Sequence, residues 1–168
     1  ATKRTASRLP ELFSAASNLQ EFIVAPSNTY FKAVDGVLMN YDGTKIVNYP
    51  TGKVGAYTVP QGVTSIGNSA FQYARGIDEL ILNEGIVEID GYALFSCSGL
   101  KEIVFPASLA KVGPCWFDAC ENVESVTFKS DTPVSYPGSL RENCSIYVPN
   151  DAVETYKSVW SDYADRIY

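Results

Sequence analysis

Histidine is absent from this 168-residue chain. Its absence removes the side chain that most often serves as a general base and most often binds a metal ion. Nucleophilic sites of the Ser–His–Asp or Cys–His type cannot be built from this chain alone. We therefore expect no catalytic site of these types and no metal site, and we expect no cofactor.

Clusters of basic residues and long apolar runs are also missing. Lys and Arg total 13 against 19 Asp and Glu, which gives a net charge of −6 and a pI of about 4.6. Beyond Lys3 and Arg4 there is no basic cluster, so a nucleic-acid partner is not expected. No apolar run approaches the roughly 18 residues needed to cross a bilayer, so we expect no membrane insertion within this chain. Residues 1–10 lack the apolar segment of a signal peptide.

Cysteine is scarce but even in number, with Cys97, Cys115, Cys120 and Cys144. An even count permits disulfides. However, Cys97 and Cys120 are 23 residues apart and align with Ala74, which indicates a small, buried position. The spacing also lacks the paired C-x2-C elements of structural zinc sites. Buried free thiols are the favoured interpretation, and a disulfide is the alternative.

The chain contains a 23-residue repeat, seen when residues 63–85, 86–108 and 109–131 are aligned without gaps. A fixed period of this length predicts a solenoid, in which each repeat buries its apolar residues against its neighbours. The aligned apolar columns are Val63, Ile86 and Leu109; Ile66, Ile89 and Val112; Phe71, Leu94 and Phe117; Ile77, Leu100 and Val123; Leu80, Ile103 and Val126; and Leu82, Phe105 and Phe128.

Each repeat divides into a strand and an outer turn. The pattern L-x-x-I-x-F/L ends in alternating apolar residues, which predicts a short strand. A second apolar pair and an aromatic-bearing tight turn or short helix follow. Residues 25–56 interrupt the array, and the extended runs on either side of Asp42-Gly43 predict a β-hairpin there.

The C-terminal part is expected to close the stack. Asp151 and Glu154 have the spacing of a capping box at the start of a helix, and Val153, Tyr156 and Trp160 share one face of that helix. We interpret residues 1–168 as one domain. It comprises a partial repeat (1–24), a hairpin insert (25–56), regular repeats (57–131) and a C-terminal cap (132–168).

The repeat resembles the BspA-like leucine-rich repeats of bacterial surface proteins. Residues 77–97 and 100–120 follow that family's approximate pattern, L-x-x-I-x-I-P-x-x-V-x-x-I-G-x-x-A-F-x-x-C, although Asn83 replaces its Pro and Trp116 a small residue. The resemblance implies a leucine-rich-repeat solenoid, mostly β with short outer turns or helices, stacked parallel strands, a hairpin insert and a C-terminal capping helix. It also implies an extracellular or cell-surface binding protein, often adhesive, without catalytic residues.

Side chains in the strands alternate between the core and the outer surface, so one residue set should form an exposed face. Its middle column is β-branched, and an acidic edge runs beside it. Such faces are where solenoids bind partners, although β-branched residues also simply suit a sheet surface. The candidate binding residues are Glu21, Ile23, Thr58, Glu79, Ile81, Asn83, Glu102, Val104, Thr127 and Lys129.

Tyrosines in the insert are a second candidate. Tyr30, Tyr41 and Tyr49 cluster there, and exposed aromatics on a loop can bind sugars or proteins. More often such residues pack an insert against its scaffold. Asp35 and Asp42 lack the pattern of a calcium-binding loop, so turn formation explains them better than a cation does.

We therefore expect a noncatalytic interaction module that binds an extracellular protein or glycan through its sheet face. The alternative is a structural spacer within a larger surface protein, with no ligand of its own. A glycosidase based on Glu79 and Glu102 is disfavoured, because a flat exposed column offers no burial to tune either carboxyl group.

Overall fold

The 23-residue period produces one longer strand and one two-residue strand in each regular repeat. The computed structural model describes residue 13 and residues 16–168. Its longer strands are β4 (Gly55–Thr58), β6 (Ile77–Ile81), β8 (Glu102–Phe105), β10 (Ser125–Phe128) and β11 (Ser145–Tyr147). Its short strands are β5 (Ser65–Ile66), β7 (Glu88–Ile89) and β9 (Lys111–Val112), and the insert supplies β1 (Phe31–Val34), β2 (Val37–Asn40) and β3 (Lys45–Asn48).

The strands stack into two walls of a parallel solenoid. The short strands pair in parallel, and the insert extends their sheet in the order β1-β2-β3-β5-β7-β9. The longer strands form the other wall, which is divided into a β4-β6 pair and a three-stranded sheet ordered β11-β10-β8. The predicted leucine-rich-repeat solenoid with stacked parallel strands is confirmed.

The apolar columns of the repeat form the core between these walls. Ile66, Ile89, Phe71, Leu94 and Phe117 are all fully buried. Only Leu82 and Val112, among the residues of the predicted columns, are partly exposed. Full burial of a large aliphatic or aromatic side chain contributes about 1.5–3 kcal/mol, so a repeated column is the main source of stability in each coil.

The hairpin insert is confirmed and has one more strand than the predicted pair. β2 and β3 pair in antiparallel fashion across Asp42-Gly43, and β1 joins β2 across Asp35-Gly36. β3 then runs parallel to β5, with Ile46 beside Ile66. The insert therefore continues the wall of short strands and does not project from it.

The outer turns repeat an unusual backbone conformation. Ser69, Tyr92 and Cys115 have φ values of 54°, 55° and 51°, and each lies 23 residues from the next. Tyr73, Ser96 and Ala119 form a second such column, with φ values of 62°, 60° and 57°. The left-handed region is unfavourable for residues with a Cβ. The predicted tight turn is thus present, but glycine does not mark it.

The small-residue column is also buried. Cys97 and Ala74 are fully buried, and Cys120 is 6% exposed. The Cys97 thiol donates a hydrogen bond of 3.2 Å to the Phe71 carbonyl, and Cys120 donates one of 3.1 Å to the Leu94 carbonyl. All four cysteines are free, and Cys115 is the one that is not buried.

The C-terminal helix caps the stack, although the predicted capping box is wrong. A 3-10 turn, Asn150–Ala152, precedes helix α1 (Val153–Val159), so Ala152 occupies the N-cap and no side chain caps it. Tyr156 and Trp160 are buried and pack on Phe128, with Trp160 and Phe128 ring centroids 5.0 Å apart. None of the helices in the described part of the chain has the length and apolar character to cross a membrane.

The predicted partial repeat, residues 1–24, falls largely outside the described residues. Within the described part, the Phe13 and Phe22 rings meet edge to face at 5.2 Å. Residues 19–25 form no strand, and the Phe22 amide donates to the Gly36 carbonyl at 2.8 Å. This segment therefore meets the turn of the insert.

Candidate binding face of the sheet

A column of outward-pointing side chains crosses the wall of longer strands. Backbone pairing places Thr58 beside Ile81, Val104 beside Thr127, and Thr127 beside Tyr147. The intervening residues of these strands point into the core, which forces this set outward. Ile81 is 45% exposed, Val104 is 44% exposed and Tyr147 is 47% exposed. We call Thr58, Ile81, Val104, Thr127 and Tyr147 the central column.

Two predicted members of the face lie elsewhere. Glu21 and Ile23 were expected to continue the columns, but their segment forms no strand, and Ile23 is 86% exposed. The cause is local, because the Phe22 amide between them bonds the Gly36 carbonyl of the insert and no neighbouring strand. The prediction that Glu21 and Ile23 align with the sheet is therefore wrong.

Asn83 is also misplaced by the alternation rule. It was expected to face outward but is only 6% exposed. Its amide group donates to the Pro60 carbonyl at 2.8 Å, and its side-chain oxygen accepts from the Gly85 amide at 2.7 Å. Strand β6 ends at Ile81, so the two-residue period no longer applies at position 83. Asn83 joins two coils and is not available to a partner.

Lys129 is exposed as predicted, but its charge is engaged. Its ammonium group lies 2.7 Å from a carboxylate oxygen of Glu84. Glu84 also accepts a hydrogen bond of 3.1 Å from the Ala107 amide. These contacts, above all the one with Lys129, lower the pKa of Glu84. The pair neutralises one end of the face, although such an exposed pair adds little to stability.

The wall of longer strands opens between β6 and β8. These strands lie side by side, but no backbone ladder joins them among the described residues. In the next coil the Lys129 amide donates to the Phe105 carbonyl at 3.1 Å. The residue one repeat before Lys129 is Pro106, which has no amide hydrogen to donate. Glu79 and Glu102 occupy equivalent positions on β6 and β8, and like charges facing each other across a sheet also disfavour pairing.

The opening forms a shallow groove of about 280 Å³. Its lining includes the central-column residues Ile81 and Val104, the carboxylates Glu79 and Glu102, and Pro106 and Lys129. Among the described residues, neither Glu79 nor Glu102 has a cationic side chain within 4.0 Å. We call this the central groove.

The insert tyrosines divide between surface and core. Tyr49 is fully buried, and its ring stacks on Phe71 at 5.0 Å. Tyr30 and Tyr41 are 61% and 55% exposed. Packing therefore explains Tyr49, whereas the other two remain free to contact a partner.

Sequence comparison identifies the repeat. Residues 48–150, more than half of the chain, match the BspA type leucine-rich repeat region in six copies. The chain belongs to this family. A search of the curated proteins gives no match to this chain.

Solved structures share the fold of this BspA-type chain. A leucine-rich repeat protein from Eubacterium ventriosum is 24% identical, with a TM-score of 0.71 over 79% of this chain and 36% of that one. The pneumococcal vaccine antigen PcpA is 16% identical, with a TM-score of 0.60 over 88% of this chain and 48% of that one. At these identities the likeness concerns the fold alone. The BspA-type chain spans less than half the length of either structure.

One aromatic of the face has no signal in the repeat. Tyr168 is 59% exposed, and its ring centroid lies 6.0 Å from that of Tyr147. Ile167 bridges Ile146 in parallel, and the Tyr168 amide donates to the Ile146 carbonyl at 2.9 Å. Ile167 and Tyr168 thereby cover the outer edge of β11, and Tyr168 adds a second tyrosine at this end of the wall of longer strands. The 23-residue alignment ends before this segment, so only the tertiary fold reveals it.

Proposed function

We propose that this chain is a noncatalytic interaction module that binds an extracellular protein or glycan through the wall of longer strands. The observation that carries the proposal is the central column. Backbone pairing holds Ile81 beside Thr58, Val104 beside Thr127 and Thr127 beside Tyr147, and Ile81, Val104 and Tyr147 are each more than two-fifths exposed.

The central column is preorganised for binding. Ordering flexible side chains and loops is a major cost of association. β-branched residues such as Ile81 and Val104 have few rotamers to lose, and their strands are fixed by the core beneath them. Contiguous apolar residues with polar neighbours are also typical of interaction surfaces. The central column therefore suits a partner better than the exposed tyrosines of the insert.

A location outside the cell or on its surface belongs to the same proposal. Support comes from membership of the BspA-type family and from the fold shared with a pneumococcal vaccine antigen. An adhesive role follows if the partner is a host or matrix component. The identity of that partner is what the binding experiment must supply.

A catalytic role for the face is less well supported. A carboxylic acid that donates a proton near neutral pH is usually buried in an apolar pocket. Glu79 and Glu102 are both exposed on the open side of the sheet. We therefore place them in recognition and not in hydrolysis.

The test is binding of the purified chain to an array of extracellular-matrix proteins and glycans, beside the Ile81→Glu and Val104→Glu variants. A charged residue in the middle of an apolar contact should weaken any specific binding at least about tenfold. Val87→Glu is the matched control, because Val87 is 47% exposed but lies outside the central column. Circular dichroism confirms that each variant is folded.

Two results would oppose the proposal. Saturable binding that both Ile81→Glu and Val104→Glu retain would place the site elsewhere on the chain. An array without any saturable signal at micromolar concentrations would favour the alternative, a spacer within a larger surface protein.

A further inference from the structure

We propose that the central groove receives a cationic side chain, lysine or arginine, presented by an extended segment of a protein partner. The methylene stem lies against Ile81 and Val104, and the charged head lies between Glu79 and Glu102. This inference rests on the proposed function, because it names the chemistry by which the sheet face would select its partner.

The central groove carries negative charge. Glu79 and Glu102 line the same groove and have no cationic partner within 4.0 Å among the described residues. Some other carboxylates of the chain are paired, as Glu88 is with Lys111 at 2.6 Å and Glu84 with Lys129 at 2.7 Å. Among the described residues that line the groove, Lys129 is the one cation, and it is already engaged by Glu84. The groove presents two uncompensated negative charges, and a positive group from a partner would relieve their mutual repulsion.

The central groove also has an apolar lining. Ile81, Val104 and Pro106 contribute to it. Lysine and arginine bury their methylene stems on apolar surfaces while the charged head remains near solvent. An inorganic cation would use the two carboxylates but would gain nothing from Ile81 and Val104. The combination of an apolar wall and an acidic edge thus fits an amphipathic side chain better than an ion.

The groove is small and shallow. It measures about 280 Å³, at the lower end of the range of about 300–1,000 Å³ for pockets that enclose a small organic ligand. The groove is open along the face. The central column continues from it toward Thr58 on one side and toward Thr127 and Tyr147 on the other. A segment lying across the strands could therefore place one side chain in the groove and its neighbours on the column. This arrangement favours a peptide over an isolated amine.

The partner would be a protein with basic residues spaced among apolar ones. The chain itself carries a net charge of −6, so long-range attraction also favours a basic partner and would raise the association rate. Both effects weaken with ionic strength, which gives the experiment its first diagnostic.

The experiment measures binding of a fluorescein-labelled peptide, Val-Lys-Val-Lys-Val, to the full chain by fluorescence anisotropy in a buffer containing EDTA. The matched probe replaces each lysine with norleucine, which keeps the stem and removes the charge. We expect saturable binding of the lysine peptide only. Raising NaCl from about 0.1 M to about 1 M shortens the Debye length from about 10 Å to about 3 Å and should weaken that binding.

Variants locate the site. Glu79→Gln/Glu102→Gln should weaken peptide binding about tenfold, since it removes two ion pairs. Glu142→Gln/Glu154→Gln removes the same net charge from residues that do not line the groove and should change the affinity much less. Equal losses in both double variants would overturn the inference, because attraction would then come from the overall charge. Absence of saturable peptide binding, or equal binding of the norleucine probe, would also overturn it.

The outcome is separable from that of the proposed function. A matrix protein whose binding is lost in Ile81→Glu but kept in Glu79→Gln/Glu102→Gln would support the binding face and reject the cationic side chain. A lysine peptide that binds through Glu79 and Glu102, with no matrix protein or glycan bound, would support the groove chemistry and reject the proposed function as stated.

Discussion

Gly99 packs against the backbone carbonyl of Ile77 so closely that a Cβ at position 99 would lie 2.2 Å from the carbonyl oxygen. The two residues belong to successive coils, at the point where β6 begins. Because the obstacle is backbone, a side-chain rotation cannot remove the collision. We therefore expect Gly99→Ala to lower the free energy of unfolding by about 2–3 kcal/mol, measured by urea denaturation followed by circular dichroism.

Gly62→Ala is the control for that substitution. Gly62 has a φ of 89°, but a Cβ there would meet nothing within 4 Å. The free energy of unfolding of Gly62→Ala should fall only by the cost of placing a residue with a Cβ in the left-handed region, about 1–2 kcal/mol. If Gly99→Ala were as stable as the parent chain, the close stacking of coils at this position would be contradicted.

Replacing Ala119 with glycine should increase the stability of the chain. It has a φ of 57° in the second left-handed column of the outer turns, where a Cβ is unfavourable. Relief of that strain should exceed the entropy that glycine adds to the unfolded chain, so we expect Ala119→Gly to stabilise by about 0.5–1 kcal/mol. Thermal and urea unfolding would both report the gain.

Ala110→Gly tests whether the left-handed backbone is the cause. Ala110 is exposed and does not have a positive φ. There, glycine should destabilise by about 0.4–1 kcal/mol, since only the entropy of the unfolded chain changes. Opposite signs for the two alanines are the expected result, and a loss of stability in both would argue against strain at position 119.

The core could be predicted from the repeat period, whereas the backbone conformation of the turns could not. Apolar residues at 23-residue intervals have only one common burial site, so Phe71, Leu94 and Phe117 could be assigned to the core from the sequence. The left-handed residues could not be found this way, because Ser96 and Ala119 carry no glycine signal. Their conformation is imposed by packing of one coil on the next. The capping box between Asp151 and Glu154 had the right pattern, but a 3-10 turn displaced the helix start.

In the binding face as well, the positions set by the repeat could be predicted, whereas those set by local contacts could not. Ile81 and Val104 followed from strand alternation, which holds while a residue remains within a strand. Asn83 lies just beyond β6 and turns inward to bond the Pro60 carbonyl. The predicted positions of Glu21 and Ile23 were wrong because the Phe22 amide between them bonds the Gly36 carbonyl of the insert. The central groove depends on the missing ladder between β6 and β8, and a sequence alignment does not report which neighbouring strands pair.

The thiols should separate into one reactive and three protected groups. Cys97, Cys120 and Cys144 are buried, and Cys115 is partly exposed. The neighbouring Cys120 thiol, together with burial, raises the pKa of Cys97, and burial raises the pKa of Cys144. Since the thiolate is the reactive form, Ellman's reagent should modify one thiol rapidly in the native chain and all four in denaturant. Cys115→Ser should abolish the rapid reaction. Fewer than four thiols in denaturant would instead indicate a disulfide.

Two buried tyrosines should respond oppositely to loss of the hydroxyl group. The Tyr49 hydroxyl is buried and has no hydrogen-bond partner among the described residues, whereas the Tyr156 hydroxyl donates to the Ser130 carbonyl at 2.7 Å. A buried polar group without a partner costs about 1–3 kcal/mol, and a satisfied hydrogen bond contributes about 0.5–1.5 kcal/mol. We therefore expect Tyr49→Phe to be neutral or stabilising and Tyr156→Phe to be destabilising by about 1 kcal/mol. A loss of stability in Tyr49→Phe would imply that a bound water satisfies the hydroxyl.

The same tyrosine predicts how stability changes in alkali. Burial raises the pKa of Tyr49 from 10.0 to about 12. Between these two values the unfolded chain loses the phenolic proton while the folded chain keeps it, so the unfolded state is favoured as pH rises. Ionisation of this group therefore leaves stability unchanged well below pH 10.0 and lowers it as pH rises from 10.0 toward about 12. Tyr49→Phe should therefore unfold less steeply with pH in this range than the parent chain, as measured by urea denaturation at several alkaline pH values. Identical pH profiles would mean that the Tyr49 ring is accessible to solvent in the folded state.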